Sequence, residues 1–389
     1  MLPYRRIYSL LGIGVSVLFL VANCSNERLL NISGVDWQLE EVASGRLLGL
    51  HSSLAVTSDE TVHIAYHDPI RYRLYHAERI ADSEWRRAPV DTPGWVGNGI
   101  VLLSDTADHL HLFYQDYVVS SIRHTQFDGT DWYSDYIGPA SSRGEYVELV
   151  DEAGELHLVE MSPDTDKIHY WKGNASTWNY IGHKTLNNDF EFRSCFGFDL
   201  YDGKPTIALI YLTCYQEKFG DYRSQPTQLG LDGYEVRIFR YDELLTTSWS
   251  DSVYVKVEMG KNSDLVRKHA PKAVAHIYDS EGTLHLIYRD HEGTLLDLCG
   301  ETIDTGVANG FLRCRKGPGG DLWLLYQVGK GLALAHRPLG SSWERIGMIS
   351  HVDPDGRMDL HIDSDNVPHV SFYSRNGERL WYGRWDGAP

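Results

Sequence analysis

Four polar groups follow apolar strands along the chain: His67-Asp68, Gln115-Asp116, Glu160 and Arg289-Asp290-His291. Two carboxylates flanking a glycosidic bond, about 5–5.5 Å or 6.5–9.5 Å apart, would hydrolyse it. A histidine moving a proton while an arginine neutralises a uronate would make a lyase instead. His67, Asp68, Glu160 and His291 are the residues either reaction would draw on. The same residue types also bind without reacting. Aromatic faces stack on sugar rings, while carboxylates and guanidiniums hydrogen-bond hydroxyl or acid groups. Arg193, His269, Arg289, Asp290 and Asp116 are the candidates for that role. No spacing among these residues selects a reaction. The expectation is therefore a surface that binds a glycan or a protein without catalysis. The alternative is a polysaccharide-active enzyme, a hydrolase or a lyase.

These groups must be positioned by strands, because the strands recur. One unit repeats along the chain: an apolar strand, an Asp/Gly turn, a strand opening on His and closing on Tyr and an acid, a third strand, then Trp. Its first copy runs through Asp59-Glu60-Thr61, Val62-His63-Ile64-Ala65-Tyr66-His67-Asp68, Leu74-Tyr75-His76-Ala77 and Trp85. The His position, or its substitute, falls at 63, 111, 157, 206, 285, 323 and 369. The usual step of roughly 46–49 residues is that of a β-propeller blade. The acids Asp68, Asp116 and Asp290 share one repeat position, which suits carboxylates that hold loop amides. The histidines His63, His111, His157, His285 and His369 share another and read as packing or hydrogen-bonding elements.

The seventh copy ends at Trp385, with no room for a fourth strand, while Val35 to Val42 resembles the Trp strands of other copies. The expected fold is thus all-β: a seven-bladed propeller whose ring is closed by the N-terminal strand completing the last blade, which removes two open sheet edges. Loops between second and third strands, and those leading into the next blade, should share one face. The insertion from Tyr215 to Gly233 in the fourth copy should overhang the mouth there as a partial lid.

The repeat resembles that of a bacterial secreted and lipoprotein propeller family, of the form Asp-x-x-Gly-x-x-His-x-x-Tyr-x-Asp followed by a Tyr-Ala strand and a Trp. The resemblance covers Val35 to Trp385 and implies a sialidase-like shape. The sialidase Asp-box, Ser-x-Asp-x-Gly-x-x-Trp, is absent from the repeat turns. Propellers of this kind serve as lectins, hydrolases, lyases and scaffolds, so the resemblance specifies fold and not function.

Composition agrees. Tyr (24) and Trp (11) are plentiful and Met (5) is sparse, which favours strands over helices. The net charge of −18 becomes −20 when a leader holding Arg5 and Arg6 is removed, and basic residues are scattered. Such a surface repels phosphate backbones, so nucleic acid is not an expected partner.

Met1 to Arg6 followed by the apolar run Ile7 to Val21 reads as a secretory leader. Leu20-Val21-Ala22-Asn23-Cys24 resembles a bacterial lipobox, with Asn23 standing where Gly, Ala or Ser usually precedes the cysteine. The expected organisation is a signal peptide over 1–23, a tether over 24–34 and a propeller over 35–389, lipidated at Cys24 and held at the cell envelope, the outer membrane in particular. A secreted or periplasmic protein is the alternative. The membrane is expected to be met through that lipid alone, and the propeller to be a monomer. After export, Cys195, Cys214, Cys299 and Cys314 are an even set in an oxidising compartment, which suggests bridges 195–214 and 299–314. No metal-ligand spacing appears among Cys and His, and no cofactor is expected.

Overall fold

A computed structural model describes residues 37–387 apart from 91–95, 97–98, 140–144, 151–153, 163–166, 175–176, 186–190, 193–196, 217–228, 242–248, 260–269, 272 and 299. The described chain forms seven antiparallel sheets arranged as a propeller, as the repeat predicts. In blade 1 the strands Ser52–Val56, Val62–Asp68, Arg73–Ala81 and Glu84–Pro89 follow one another from the axis outward. Blade 7 takes its first three strands, Pro354–Ile362, Pro368–Ser374 and Arg379–Trp385, from the end of the chain. Its outer strand is Trp37–Ser44, paired in register from Trp37 opposite Trp385 to Ser44 opposite Arg379. The ring therefore closes through the N-terminal strand.

Alternation along each strand sends one row of side chains to the preceding blade and the other to the next. Ile64 and Tyr66 pack with Leu380 and Tyr382 of blade 7, whereas Ala65 packs with Leu110, Leu112 and Tyr114 of blade 2. Phe113 continues the series against Leu158 and Trp171 of blade 3. Because both faces of every sheet are covered, the second strands read as near-continuous apolar runs.

The recurrent polar residues form a latch in the half of each blade nearest the Asp/Gly turns. In blade 2 the Asp105 carboxylate accepts the amides of Ala107 and His109 and meets His111 Nε2 at 3.2 Å. His111 Nδ1 lies 2.9 Å from His124 Nε2, and the Trp178 indole of blade 3 donates to His124 Nδ1 at 3.2 Å. Since the indole can only donate, His124 must donate onward to His111, and His111 to Asp105. Burial pushes the His124 pKa down to about 3 and lowers that of His111, which keeps both rings neutral as the row requires. Other blades vary the theme. The third-strand partner is His76 in blade 1 and a tyrosine in blades 3 and 7, through His157–Tyr170 and His369–Tyr382 contacts of 2.9 and 2.7 Å. In blade 5 it is Asp297, 2.6 Å from His285 and 3.0 Å from the Trp343 indole of blade 6. There His285 sits between Asp297 and Asp279. Burial opposes its charge, but the two carboxylates prevail and raise its pKa.

A second polar assembly lies on the inner strands where the ring closes. The amide of Leu102 in blade 2 donates to Ser53 Oγ, and Ser53 Oγ donates to Asp359 of blade 7 at 2.5 Å. Asp359 also accepts from the amide of Leu54 in blade 1 and, at 2.8 Å, from Arg313 Nε in blade 6. Burial would raise the Asp359 pKa, yet Arg313, Arg315 and Arg357 hold it well below the usual carboxylate range. One buried carboxylate thus ties four consecutive blades.

Among the described residues Cys314 is a buried free thiol. Its side chain belongs to an apolar cluster with Ala275, Ile277 and Leu324 between blades 5 and 6, where burial pushes its pKa up. Cys24, Cys195, Cys299 and the side chain of Cys214 lie outside the described residues. In blade 4 the insertion lengthens the second and third strands to Lys204–Gln216 and Leu229–Tyr241, and the tip expected to form a lid, 217–228, lies outside the described residues.

Asp359→Ala should cost about 3–5 kcal/mol in chemical denaturation, because it breaks the buried ion pair with Arg313 and the hydrogen bonds from Ser53 and Leu54. Acid should act through the neutral latch histidines. Their folded pKa values are depressed, so the unfolded chain binds more protons, and stability present above about pH 6.5 is lost as pH falls towards 4. The melting temperature should fall between pH 7 and pH 5, and His124→Asn should flatten that slope.

Candidate functional site at the loop face

Second strands rise from the turn face, so their last residues deliver side chains to the opposite, loop face. Of the sequence candidates there, the three recurrent acids serve their own loops. Asp68 accepts the amides of Ile70 and Arg71 and pairs with the Arg71 guanidinium at 2.9 Å. Asp116 accepts the Val118 amide and pairs with Arg123 at 2.8 Å, and Asp290 accepts the amides of Glu292 and Thr294. Arg289 is likewise committed, its Nε donating to the Val307 carbonyl and its Nη1 to the Asp290 carbonyl. His291 is half-exposed on the blade 5 loop, 3.9 Å from Glu292. Arg193 and His269 lie outside the described residues. His67 and Asp68, Glu160, and His291 stand on blades 1, 3 and 5, so no inter-blade cleft contains them all.

The residues that do converge occupy two neighbouring clefts. His67 follows Ala65 on the row facing blade 2, and burial lowers its pKa to about 4 against the opposing charge of Asp68. His51, from the loop entering blade 1, lies beside it and is lowered to about 4 by burial first and by His67 and Arg357 next. Both imidazoles are neutral at physiological pH. His67 Nε2 is buried and makes no hydrogen bond. Across this cleft blade 2 presents Arg123, stacked at 4.7 Å on the ring of Tyr136, which is exposed.

In the next cleft Gln115 follows Phe113 on the row facing blade 3. It is fully buried, and among the described residues neither its Oε1 nor its Nε2 has a hydrogen-bond partner. The facing wall carries Glu160, buried two residues beyond Leu158, and opposite it in register His169. His169 Nδ1 lies 3.2 Å from the Tyr180 hydroxyl, which is 2.9 Å from His183 Nδ1. Burial lowers His169 to about 4, while burial and the Glu160 charge raise Tyr180.

His67 and Gln115 hold the same repeat position, immediately before the loop acid. Sequence reasoning singled out His67 and Glu160 but passed over His51 and the His169–Tyr180–His183 row. The usable signal was a break in the repeat: Glu160 stands where blades 1, 2, 5 and 6 place Tyr66, Tyr114, Tyr288 and Tyr326. Chemically, neutral imidazoles and a carboxamide both donate and accept, as sugar hydroxyls do, and the exposed faces of Tyr136 and Tyr180 can stack on sugar rings.

No protein-family model matches this sequence, and no curated protein matches it. Solved structures match in fold. The polysaccharide lyase Uly1 aligns with a TM-score of 0.51 at 11% identity, over 86% of this chain and 89% of its own. A mutant of the Aleuria aurantia lectin, in complex with Fucα1-6GlcNAc, gives 0.46 at 10% identity over 81% and 98%. A protein from Lactobacillus plantarum gives 0.46 at 12% over 76% and 84%. At these identities what is shared is the fold, and the chain is a β-propeller.

Proposed function

We propose that the loop face binds a glycan, without cleaving it, across the clefts between blades 1, 2 and 3. One observation carries this reading: His67 Nε2 and both amide atoms of Gln115 are buried without partners at equivalent positions of adjacent blades. A buried unsatisfied polar group costs about 1–3 kcal/mol. Ligand hydroxyls would recover that cost. The acids that hydrolysis would require are engaged at Asp68 and Asp116 by loop amides and arginines. In this reading the sequence candidates Asp116, Arg289 and Asp290 shape the loops around the ligand.

A polysaccharide-active enzyme is the second reading, favoured by the hydrogen-bonded His169–Tyr180–His183 row beside Glu160. Lipidation of Cys24, with display at the cell envelope, is a further part of the proposal and rests on the leader and the residues before Cys24. Cys24→Ser should abolish incorporation of labelled palmitate in growing cells.

A glycan-array screen, followed by assays for new reducing ends or unsaturated uronates, separates the two readings. Binding without cleavage is expected. Cleavage that disappears in Tyr180→Phe would establish the enzyme instead. Gln115→Leu should weaken glycan binding about tenfold, a loss of about 1.4 kcal/mol, while leaving the melting temperature equal or higher, since it removes an unsatisfied group. A purely structural Gln115 would show the reverse. In proton NMR, His67 should remain on its neutral plateau at pH 5.5, where an unperturbed histidine is mostly protonated.

A further inference from the structure

Beside these clefts, three loops of the same face turn large apolar side chains outward. Leu47, on the loop entering blade 1, is 40% exposed. Ile70 and Tyr72, on the blade 1 loop, are 67% and 46% exposed, and Val118 and Val119, on the blade 2 loop, 70% and 52%. Isolated apolar residues at a surface are ordinary, but five on three loops of two adjacent blades are not. Two of them are held out by unfavourable backbone. Leu47 has φ of 60° and Tyr72 of 52°, a left-handed conformation that bulky residues avoid. The Tyr373 hydroxyl fixes the first by accepting the Leu47 amide at 3.0 Å.

Charge says what such tips would meet. The chain carries 54 acidic against 36 basic residues, yet loop segments 45–50, 69–73 and 117–120 contain Arg46, Arg71 and Arg73 and no acid. Arg46 and Arg71 are exposed beside the apolar tips. The tips belong to three separate loops. Apolar points flanked by arginines, with a tyrosine whose ring is apolar and whose tip is polar, fit the boundary between lipid headgroups and acyl chains.

We propose that these loop tips insert into an anionic lipid surface, so that the loop face docks on a membrane independently of any N-terminal lipid. The inference goes beyond glycan binding and does not depend on it. Leu47, Ile70, Val118 and Val119 would enter the acyl boundary, with Tyr72 at headgroup level and Arg46 on phosphates, while Arg71 stays paired with the buried Asp68.

The test uses the full chain with an environment-sensitive fluorescent amino acid in place of Val118, or of Glu60 on the turn face. Each is mixed with vesicles of phosphatidylcholine, or of phosphatidylcholine and phosphatidylglycerol in equal parts. Insertion predicts a blue shift and quenching by brominated lipid at position 118 but not at 60, only with the anionic vesicles. Added salt should weaken the response as Arg46 is screened. Ile70→Ser combined with Val119→Ser should reduce the affinity read at 118 at least ~tenfold, and circular dichroism should confirm that this variant retains its fold. Vesicle-bound protein with no shift at 118 would mean attachment through the N-terminal segment alone and would overturn the proposal. So would a shift at 118 that needs an envelope protein fraction and not lipid, which would make the patch a protein-docking surface.

Discussion

In blades 2 and 5 a row of hydrogen bonds crosses from one blade to the next. A turn carboxylate fixes a strand histidine, the histidine fixes a ring or acid on the third strand, and the tryptophan of the following blade reaches that group. In blade 2 the row runs in one direction from Trp178 through His124 and His111 to Asp105, and every member has its partner. Such a row in a low-dielectric interior gains from the polarisation of each bond by its neighbours, and it suffers as a unit when one member is charged or lost. The His285 version in blade 5 uses the opposite charge state, an imidazolium between two carboxylates. One geometry is thus achieved with two protonation patterns whose pH dependences have opposite signs.

Because the latches occupy the half of each cleft near the turns, the halves near the loops are released from that duty. There the residue four beyond the latch position is His67, Gln115, Met161, Ile210, Arg289, Gln327 or Tyr373, a position that shows no common chemistry. Arg289 and Gln327 spend their donors on nearby carbonyls. His67 and Gln115 do not, and they lie on adjacent blades. That contrast, more than the presence of polar residues as such, is what sets these two positions apart from their counterparts in other blades.

The same contrast explains what could be read in the sequence. The repeat announced itself because His and Trp are scarce enough to be seen and recur at fixed distances from an acidic turn. The closing strand was visible because Trp37 imitates Trp343. The site was harder to see, because its marks are departures. Glu160 replaces an aromatic residue, and His51 belongs to no repeat position. His169 and His183 pair only across strands, which a linear reading does not juxtapose. The closure assembly was hidden for another reason: Ser53, Arg313 and Asp359 look like unremarkable strand residues until the ring brings four blades together. Alternation along its strand faces Cys314 into an apolar layer.

A ring built this way asks little of most positions. Apolar rows between blades tolerate exchange among residues of similar volume, and only the latch and the closing carboxylate demand particular chemistry. It follows that propellers can diverge to the 11% identity seen with Uly1 while keeping the fold over most of both chains. It also follows that function is not inherited with the ring. The loop face is where this chain departs from its own repeat, in the unsatisfied groups of two clefts and in apolar tips held out by strained backbone. Those departures carry a burial cost or a conformational cost that the fold does not require, and a ligand that relieves the one or a surface that receives the other is the physical reason to keep them.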